Sequence, residues 1–306
     1  MEPILTLGTR GSPLALAQAQ MAASSLEVAH HWIDGRVAIV PMTTSGDRVA
    51  DRPLADLGGK GLWTKELDEA LLAGRTHGSV HSMKDVESER PATLTIAAML
   101  ARGDVRDRLI GAESIDALPQ GARVGTSSPR RAAQLLRLRP DLKILPIRGN
   151  VDTRLAKVEA GEVDATLLAA AGLDRLGRHK TGVPIPVEAM LPAPGQAAIG
   201  IECRSDDDHS CVMIQRVDDI QTSAAVRAER AFARALGGSC HSPIGALAQL
   251  RSGEVRLRVE ILSEDGREQM ADEARFAVGD DETPAQLARD MLARAPDTIR
   301  RLFAGR

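Results

Sequence analysis

At 306 residues with a formal net charge of −3, the chain is long enough for two or three domains with separate cores and is no bulk polyanion binder. Aromatic residues make up 2% of it and tyrosine is absent, which removes the stacking surfaces of single-stranded nucleic-acid binders and leaves the core to aliphatic side chains. Cys203, Cys211 and Cys240 match no metal knuckle or disulfide framework, as a reducing compartment would allow.

The opening MEPILTLGTR has neither a basic leader nor a long apolar stretch, and no window reaches the apolar length of a membrane helix. A soluble, cytoplasmic protein without a membrane partner is expected. ILTL (4 to 7) predicts a buried strand, which passes through LGTRGSP (7 to 13) into a helix capped by Ser12 with Pro13 at its first position. VAIV (37 to 40) predicts a second strand. The segment from SGDRVADRPLAD to LGGKGLW, which carries Lys60 and Trp63, reads as a lid or a plain connection, and its glycine spacing is not that of a P-loop. TKELDEALLAG predicts a helix from Thr64, ended by Gly74.

VHSMKDVE (80 to 87) then reads as a strand ending in Ser82, Lys84 and Asp85, and LTIAAML (94 to 100) as the next. VGTSSPRR (124 to 131) repeats the first strand-to-helix device, with Ser128 as cap and Pro129 inside the helix. KILPI (143 to 147), a helix from Asn150 to Gly161, and DATLLAA (164 to 170) continue a strand and helix alternation that argues α/β. Beyond CRSDDDHSC (203 to 211), taken as a solvated acidic stretch, come a helix over 222 to 236, strands joined by Ser-Gly and Asp-Gly turns, and a final helix over 283 to 303. That last part reads as a small α+β domain.

Arg10, Lys60, Lys84, Arg130, Arg131, Arg148, Arg154 and Arg175 fall at strand ends, loop tips or first helical turns, where α/β sheets place ligand groups. Singly, each reads as solvated charge; SSPRR and IRGNVDTR together point to an anion site. Asp85, at the rim of such a site, stays ionised and suits the stabilisation of a developing cation and proton transfer, although an aspartate that caps a turn explains the same residue. The histidines show no paired ligand spacing and read as structural or solvent-facing, so no metal is expected. Cys240, in LGGSCHSPIG, is either a small buried hydrophobe or, given the small residues around it, a thiol open to covalent attachment.

TRGSPLALAQ, GDRVADRPLADLGGKGLWTKELDEALL, VHSMKDV, VGTSSPRRAAQL, RGNVDTRL, LAAAGLDRLG, PAPGQAAIGIECR and GGSCHSPIGA, in that order, resemble the motifs of porphobilinogen deaminases, also called hydroxymethylbilane synthases. The resemblance implies two periplasmic-binding-protein-like lobes around a cleft plus a small α+β C-terminal domain. Residues 1–100 with 198–216 would form domain 1, with the active-site loop and catalytic aspartate; residues 101–197 domain 2, with the arginine cluster; residues 217–306 domain 3, with the cofactor cysteine. It implies a monomeric transferase that joins four porphobilinogen molecules head to tail on a dipyrromethane primer held by Cys240 through a thioether, releases ammonia, and frees 1-hydroxymethylbilane.

By the same resemblance, Asp85 is catalytic, and Ser82, Lys84, Thr126, Ser127, Ser128, Arg130, Arg131, Arg148 and Gly149 hold the cofactor. Arg10, Ser12, Arg154, Arg175 and Gln196 take the substrate, and Lys60 and Trp63 belong to the active-site loop. Four positions depart from the family's habit: Trp63 for Phe, Glu87 for Pro, Ala197 for Gly and His241 for Gln. Glu87 removes a backbone restraint near Asp85. Two other classes are weighed against this reading: a two-lobed small-anion binding protein without catalysis, and a nucleic-acid binder through PRRAAQLLRLR, which aromatic poverty and net charge argue against.

Overall fold

The computed structural model describes residues 2–48, 63–238 and 242–303; Lys60, Cys240 and His241 lie outside them. Two compact units are formed, one from Met1–Gly103 with Ala197–Ser223 and one from Asp104–Gln196 with Ala224–Arg306. The chain begins with β1 (Leu5–Arg10), α1 (Pro13–Ala29), β2 (Val37–Met42), α2 (Ser45–Arg48), α3 (Lys65–Leu72), β3 (Gly78–Ser82), a 3-10 turn over Met83–Asp85, and β4 (Leu94–Met99). Next come β5 (Asp107–Ile110), β6 (Arg123–Gly125), α4 (Pro129–Leu138), β7 (Lys143–Leu145), α5 (Val151–Glu159), β8 (Ala165–Ala169), α6 (Ala170–Arg175) and β9 (Val183–Pro184). It returns through β10 (Ile199–Arg204) and α7 (Asp208–Gln215), and ends with α8 (Ile220–Ala235), β11 (Ile244–Arg251), β12 (Glu254–Leu262), β13 (Gln269–Ala277), α9 (Glu282–Arg294) and α10 (Asp297–Arg300).

One strand order serves both five-stranded sheets. The first unit runs β2-β1-β3-β10-β4 and the second β7-β6-β8-β5-β9. In each, four strands run the same way, and the remaining one, antiparallel to both its neighbours, is delivered by the chain as it arrives from the other unit: β10 in the first, β5 in the second. The two Ser-Pro devices of the sequence are the β1–α1 and β6–α4 junctions, equivalent places in the two sheets. Three antiparallel strands, β11-β12-β13, and the helices around them give the second unit its α+β part.

Helix α1 buries Ala19, Ala22, Ala23 and Leu26, spaced three and four apart, against Leu5, Leu7, Val80 and Ile201. Each fully buried leucine there contributes about 2 kcal/mol of transfer free energy. The second unit has two cores, one around Leu109, Val124, Leu135 and Leu167 and one around Phe232, Leu257, Val259 and Met291. Buried polar side chains join them: Glu229 accepts from the Gly195 and Ala248 amides at 2.7 and 2.8 Å, and Gln134 donates to the Leu191 carbonyl at 2.8 Å and to Glu260. None of the described helices is long and apolar enough to cross a membrane.

Several expectations need amending. Cys203 and Cys211 form a disulfide, with Cα atoms 6.2 Å apart, because Asp207 caps α7 and turns the chain back beside the end of β10. KILPI pairs only over Lys143–Leu145. The last helix breaks where Ala295, preceding Pro296, adopts an extended conformation at ψ 142°. Thr64 makes no capping bond; its hydroxyl serves a side-chain cluster described below.

Candidate active site

In the first unit, β1 and β3 are parallel neighbours, so the residues that leave their C-terminal ends converge. Arg10 ends β1, and Ser12 caps α1 by accepting from the Ala15 amide at 3.3 Å. Ser82 ends β3, and the 3-10 turn that follows carries Lys84 and Asp85. Arg10, Ser12, Ser82 and Asp85, together with Gln18, Trp63, Val80 and His81, line an open recess. The Arg10 guanidinium lies 4.0 Å over the Trp63 ring, a cation–π contact that holds it at the recess. Ser82 donates to Gln18 Oε1 at 2.9 Å, fixing the floor between α1 and β3. Met83 packs on β10 at Gly200, where even an added Cβ would come 2.1 Å from its sulfur; only glycine lets the turn sit so close. Asp85, half-buried, is the only carboxylate among the described residues that line the recess.

Behind the turn is an ionic cluster that the sequence did not announce. Arg90 donates through Nε and Nη2 to both oxygens of Glu202 at 2.8 Å each, through Nη2 to Asp68 at 2.6 Å, and through Nη1 to Glu87 and Thr64 at 3.2 Å each. His81 Nε2 lies 3.3 Å from Glu202 Oε2. Burial alone would raise the Glu202 carboxyl, but His81 and Arg90 beside it bring it down to about 2. At Asp68 burial prevails over Arg90, and its carboxyl is raised.

In the second unit, Thr126, Ser127 and Ser128 leave β6. Thr126 Oγ1 accepts from the Ser128 amide at 3.1 Å, Ser127 donates to the Ile147 carbonyl at 2.8 Å, and Ser128 caps α4. The exposed Ser127 thereby adjoins the loop of Arg148 and Gly149. Gly149 takes φ +104°, closed to other residues, which turns the chain so that Asn150 caps α5 and Arg154 Nε donates to the Gly149 carbonyl at 3.0 Å. Arg130 and Arg131 are buried and converge on Asp107 of β5 at 2.8 and 2.7 Å. Gln196 Nε2 donates to the same carboxylate at 3.0 Å. Burial would raise Asp107, but the Arg131 and Arg130 guanidiniums overcome it and hold the carboxyl well below its usual range. Arg175, half-buried at the end of α6, is brought down by burial to about 10 and so remains a cation at neutral pH.

The predicted residues thus fall into two sets: Arg10, Ser12, Trp63, Ser82, Lys84 and Asp85 in the first unit, and Thr126, Ser127, Ser128, Arg130, Arg131, Arg148, Gly149, Arg154, Arg175 and Gln196 in the second. Gln18, His81, Asp107 and Arg90 escaped the sequence reading. Gln18 had one available signal, a lone amide on the alanine-rich buried face of α1.

A family model described as "Porphobilinogen deaminase, dipyromethane cofactor binding domain" matches residues 5–211, and one described as "Porphobilinogen deaminase, C-terminal domain" matches residues 223–294. The chain belongs to the porphobilinogen deaminase family. A porphobilinogen deaminase of Sphingopyxis alaskensis is 54% identical over 306 residues, spanning 98% of this chain and 96% of its own. One from Nitrobacter winogradskyi is 47% identical, spanning 99% and 97%. Among solved structures, the periplasmic VFT2 domain of Bordetella pertussis BvgS covers 71% of this chain and 86% of its own, with 13% identity and a TM-score of 0.39. The family's cofactor is dipyrromethane, and the donor set of this chain fits it: hydroxyls and guanidiniums for its carboxylates, and in the recess one carboxylate with Trp63, Val80 and Val86 for a flat ring and its N–H.

Proposed function

We propose that this porphobilinogen deaminase family member is a cytoplasmic, monomeric transferase that joins four porphobilinogen molecules head to tail on a dipyrromethane primer linked to Cys240, releases ammonia at each step, and frees 1-hydroxymethylbilane. The observation that carries the reading is the recess in which Asp85, the one carboxylate among its described residues, shares a wall with Arg10, Ser12 and Ser82. Bound through Cys240, the dipyrromethane supplies the pyrrole carbon from which the chain grows.

The residues of the recess divide the labour. Arg10, held on Trp63, and Ser12 take substrate carboxylates, and the α1 N-terminus adds its dipole. Asp85 accepts a hydrogen bond from a pyrrole N–H and offers its negative charge where positive charge develops as ammonia leaves, then receives the proton released when the new bond restores the ring. Lys84 complements that charge from the same turn. In the second unit, Ser127, Ser128, Arg148, Gly149 and Arg154 hold the acidic side chains of the growing product, and Arg175 adds half-buried positive charge; Lys60 is assigned to the active-site loop. Arg130, Arg131 and Gln196 act as one cluster with Asp107, a net cation whose field favours bound carboxylates. The working division is residues 1–100 with 198–216, residues 101–197 and residues 217–306.

The test is the intact mass of the purified protein with and without Cys240→Ser, followed by ammonia release from porphobilinogen. A mass excess of two linked pyrroles that vanishes with Cys240, plus turnover lost in Asp85→Asn, is expected. Reversible binding of porphobilinogen without ammonia release would instead mark a small-anion binder.

A further inference from the structure

Asp85 sits on a turn of only three residues, and the chain beyond it runs irregularly to β4. Packing of Met83 on Gly200 fixes one side of the turn. The other side is fixed by charge. Glu87, two residues beyond Asp85, pairs with Arg90, and the same guanidinium grips Glu202 of β10 with two prongs and Asp68 of α3 with a third bond. Two-pronged pairing sets the plane of the guanidinium as well as its place, so the segment cannot rotate about the contact.

Bulk stability does not require this arrangement. Taking Glu202, fully buried, and Arg90, 10% exposed, out of water is expensive, and well-packed apolar side chains of similar volume give comparable or greater stability. What the ions add over apolar packing is direction. The Glu87 side chain keeps 29% of its surface exposed and yet turns to Arg90 and Thr64.

We propose that Arg90 is a positioning residue for Asp85: by gathering Glu87, Asp68 and Glu202 on one guanidinium it fixes the height and direction at which the turn presents the Asp85 carboxylate to the recess. The inference rests on the proton-handling role given to Asp85 above. Arg90 touches no reacting atom and acts only through the turn.

Arg90→Met strips Glu202 of its counter-charge and risks unfolding the unit, so the test uses Glu87→Ala and Arg90→Lys, which respectively remove one arm and keep the charge without the fork. Both are expected to fold, to lower kcat about tenfold while KM for porphobilinogen stays within about twofold, and to lose that effect against the residual turnover of an Asp85→Glu background. Amide hydrogen exchange of the substrate-free protein supplies a readout independent of turnover: the amides of Lys84, Asp85 and Val86 exchange faster in both variants, and those of α1 do not. Unchanged exchange at the turn, or a kcat loss that persists in full in the Asp85→Glu background, overturns the proposal. If the parent protein releases no ammonia, the reading of the site has failed instead, and the exchange result still decides whether Arg90 holds the turn.

Discussion

The strands that each sheet receives from elsewhere, β10 and β5, both carry a buried ionic cluster, and the two clusters are opposites. On β10, Glu202 belongs to a group in which one guanidinium serves three carboxylates; on β5, Asp107 is one carboxylate serving two guanidiniums. The same framework is therefore biased negative behind the Asp85 turn and positive behind the Ser127–Ser128 turn. Chemistry in this fold is assigned by what fills the delivered strand, not by the sheet. Arg130 and Arg131 meet Asp107 first, so in the proposed reading they act on a bound carboxylate through their field more than as a pair of forks.

The largest effect should come from removing the lone centre of the positive cluster. Asp107→Asn leaves two buried guanidiniums facing each other and is expected to destabilise the protein by about 3–5 kcal/mol in urea titrations. Glu202→Gln gives up a carboxylate that the site favours but leaves Asp68 and Glu87 on Arg90, so no buried charge is left without a counter-charge and the cost should be lower, about 3 kcal/mol. Equal losses would break the comparison.

Acid should separate the units next. An ordinary glutamate takes its proton near 4.5, and Glu202 only near about 2. Between these values the unfolded chain binds a proton that the folded chain refuses, so the stabilisation is complete above the upper value and lost as pH falls toward the lower, on the order of 3 kcal/mol in all. Asp68, raised by burial, works in the opposite sense and blunts the loss. Asp107 is also held low, and the second unit loses its share at still lower pH. Trp32 and Trp63, the only tryptophans, both belong to the first unit. Tryptophan emission is therefore expected to change at a higher pH than far-UV ellipticity, and coincident transitions would count against the ordering.

Smaller effects sharpen the picture at the edges of the site. Ala197, where the chain re-enters the first unit, has φ +70°, a left-handed conformation that disfavours any side chain. Ala197→Gly should raise stability by about 1 kcal/mol, read as a higher melting temperature. Trp63→Leu removes the platform under Arg10 and should raise KM for porphobilinogen about two- to fivefold with kcat unchanged, because the cation–π contact contributes about 0.5–1 kcal/mol at an exposed site.

Local rules made much of this legible beforehand. Ser12, Ser128 and Asn150 cap the helices they were assigned, and Ser252 and Gly253 take φ +51° and +83°, as a tight hairpin at Ser-Gly demands. What stayed hidden depends on distant partners. Arg90 and Glu202 are 112 positions apart, and nothing near either announces the other. Histidine spacing offered no ligand pair and could not reveal that His81 faces the recess and Glu202 together. Cys203 and Cys211 needed the reversal at Asp207 to meet, and acidic composition in that stretch suggested only solvation.

The delivered strands also set an order of manufacture. Strands β5 to β9 follow one another from Asp107 to Pro184, so the second sheet has all its parts as soon as that run is synthesised. The first sheet does not: β10 fits between β3 and β4, and it is made only after the whole of that run. The sheet begun first on the ribosome is thus completed later, and throughout the interval the nascent chain carries a gap between β3 and β4, open to mispairing or to a chaperone until Ile199–Arg204 closes it.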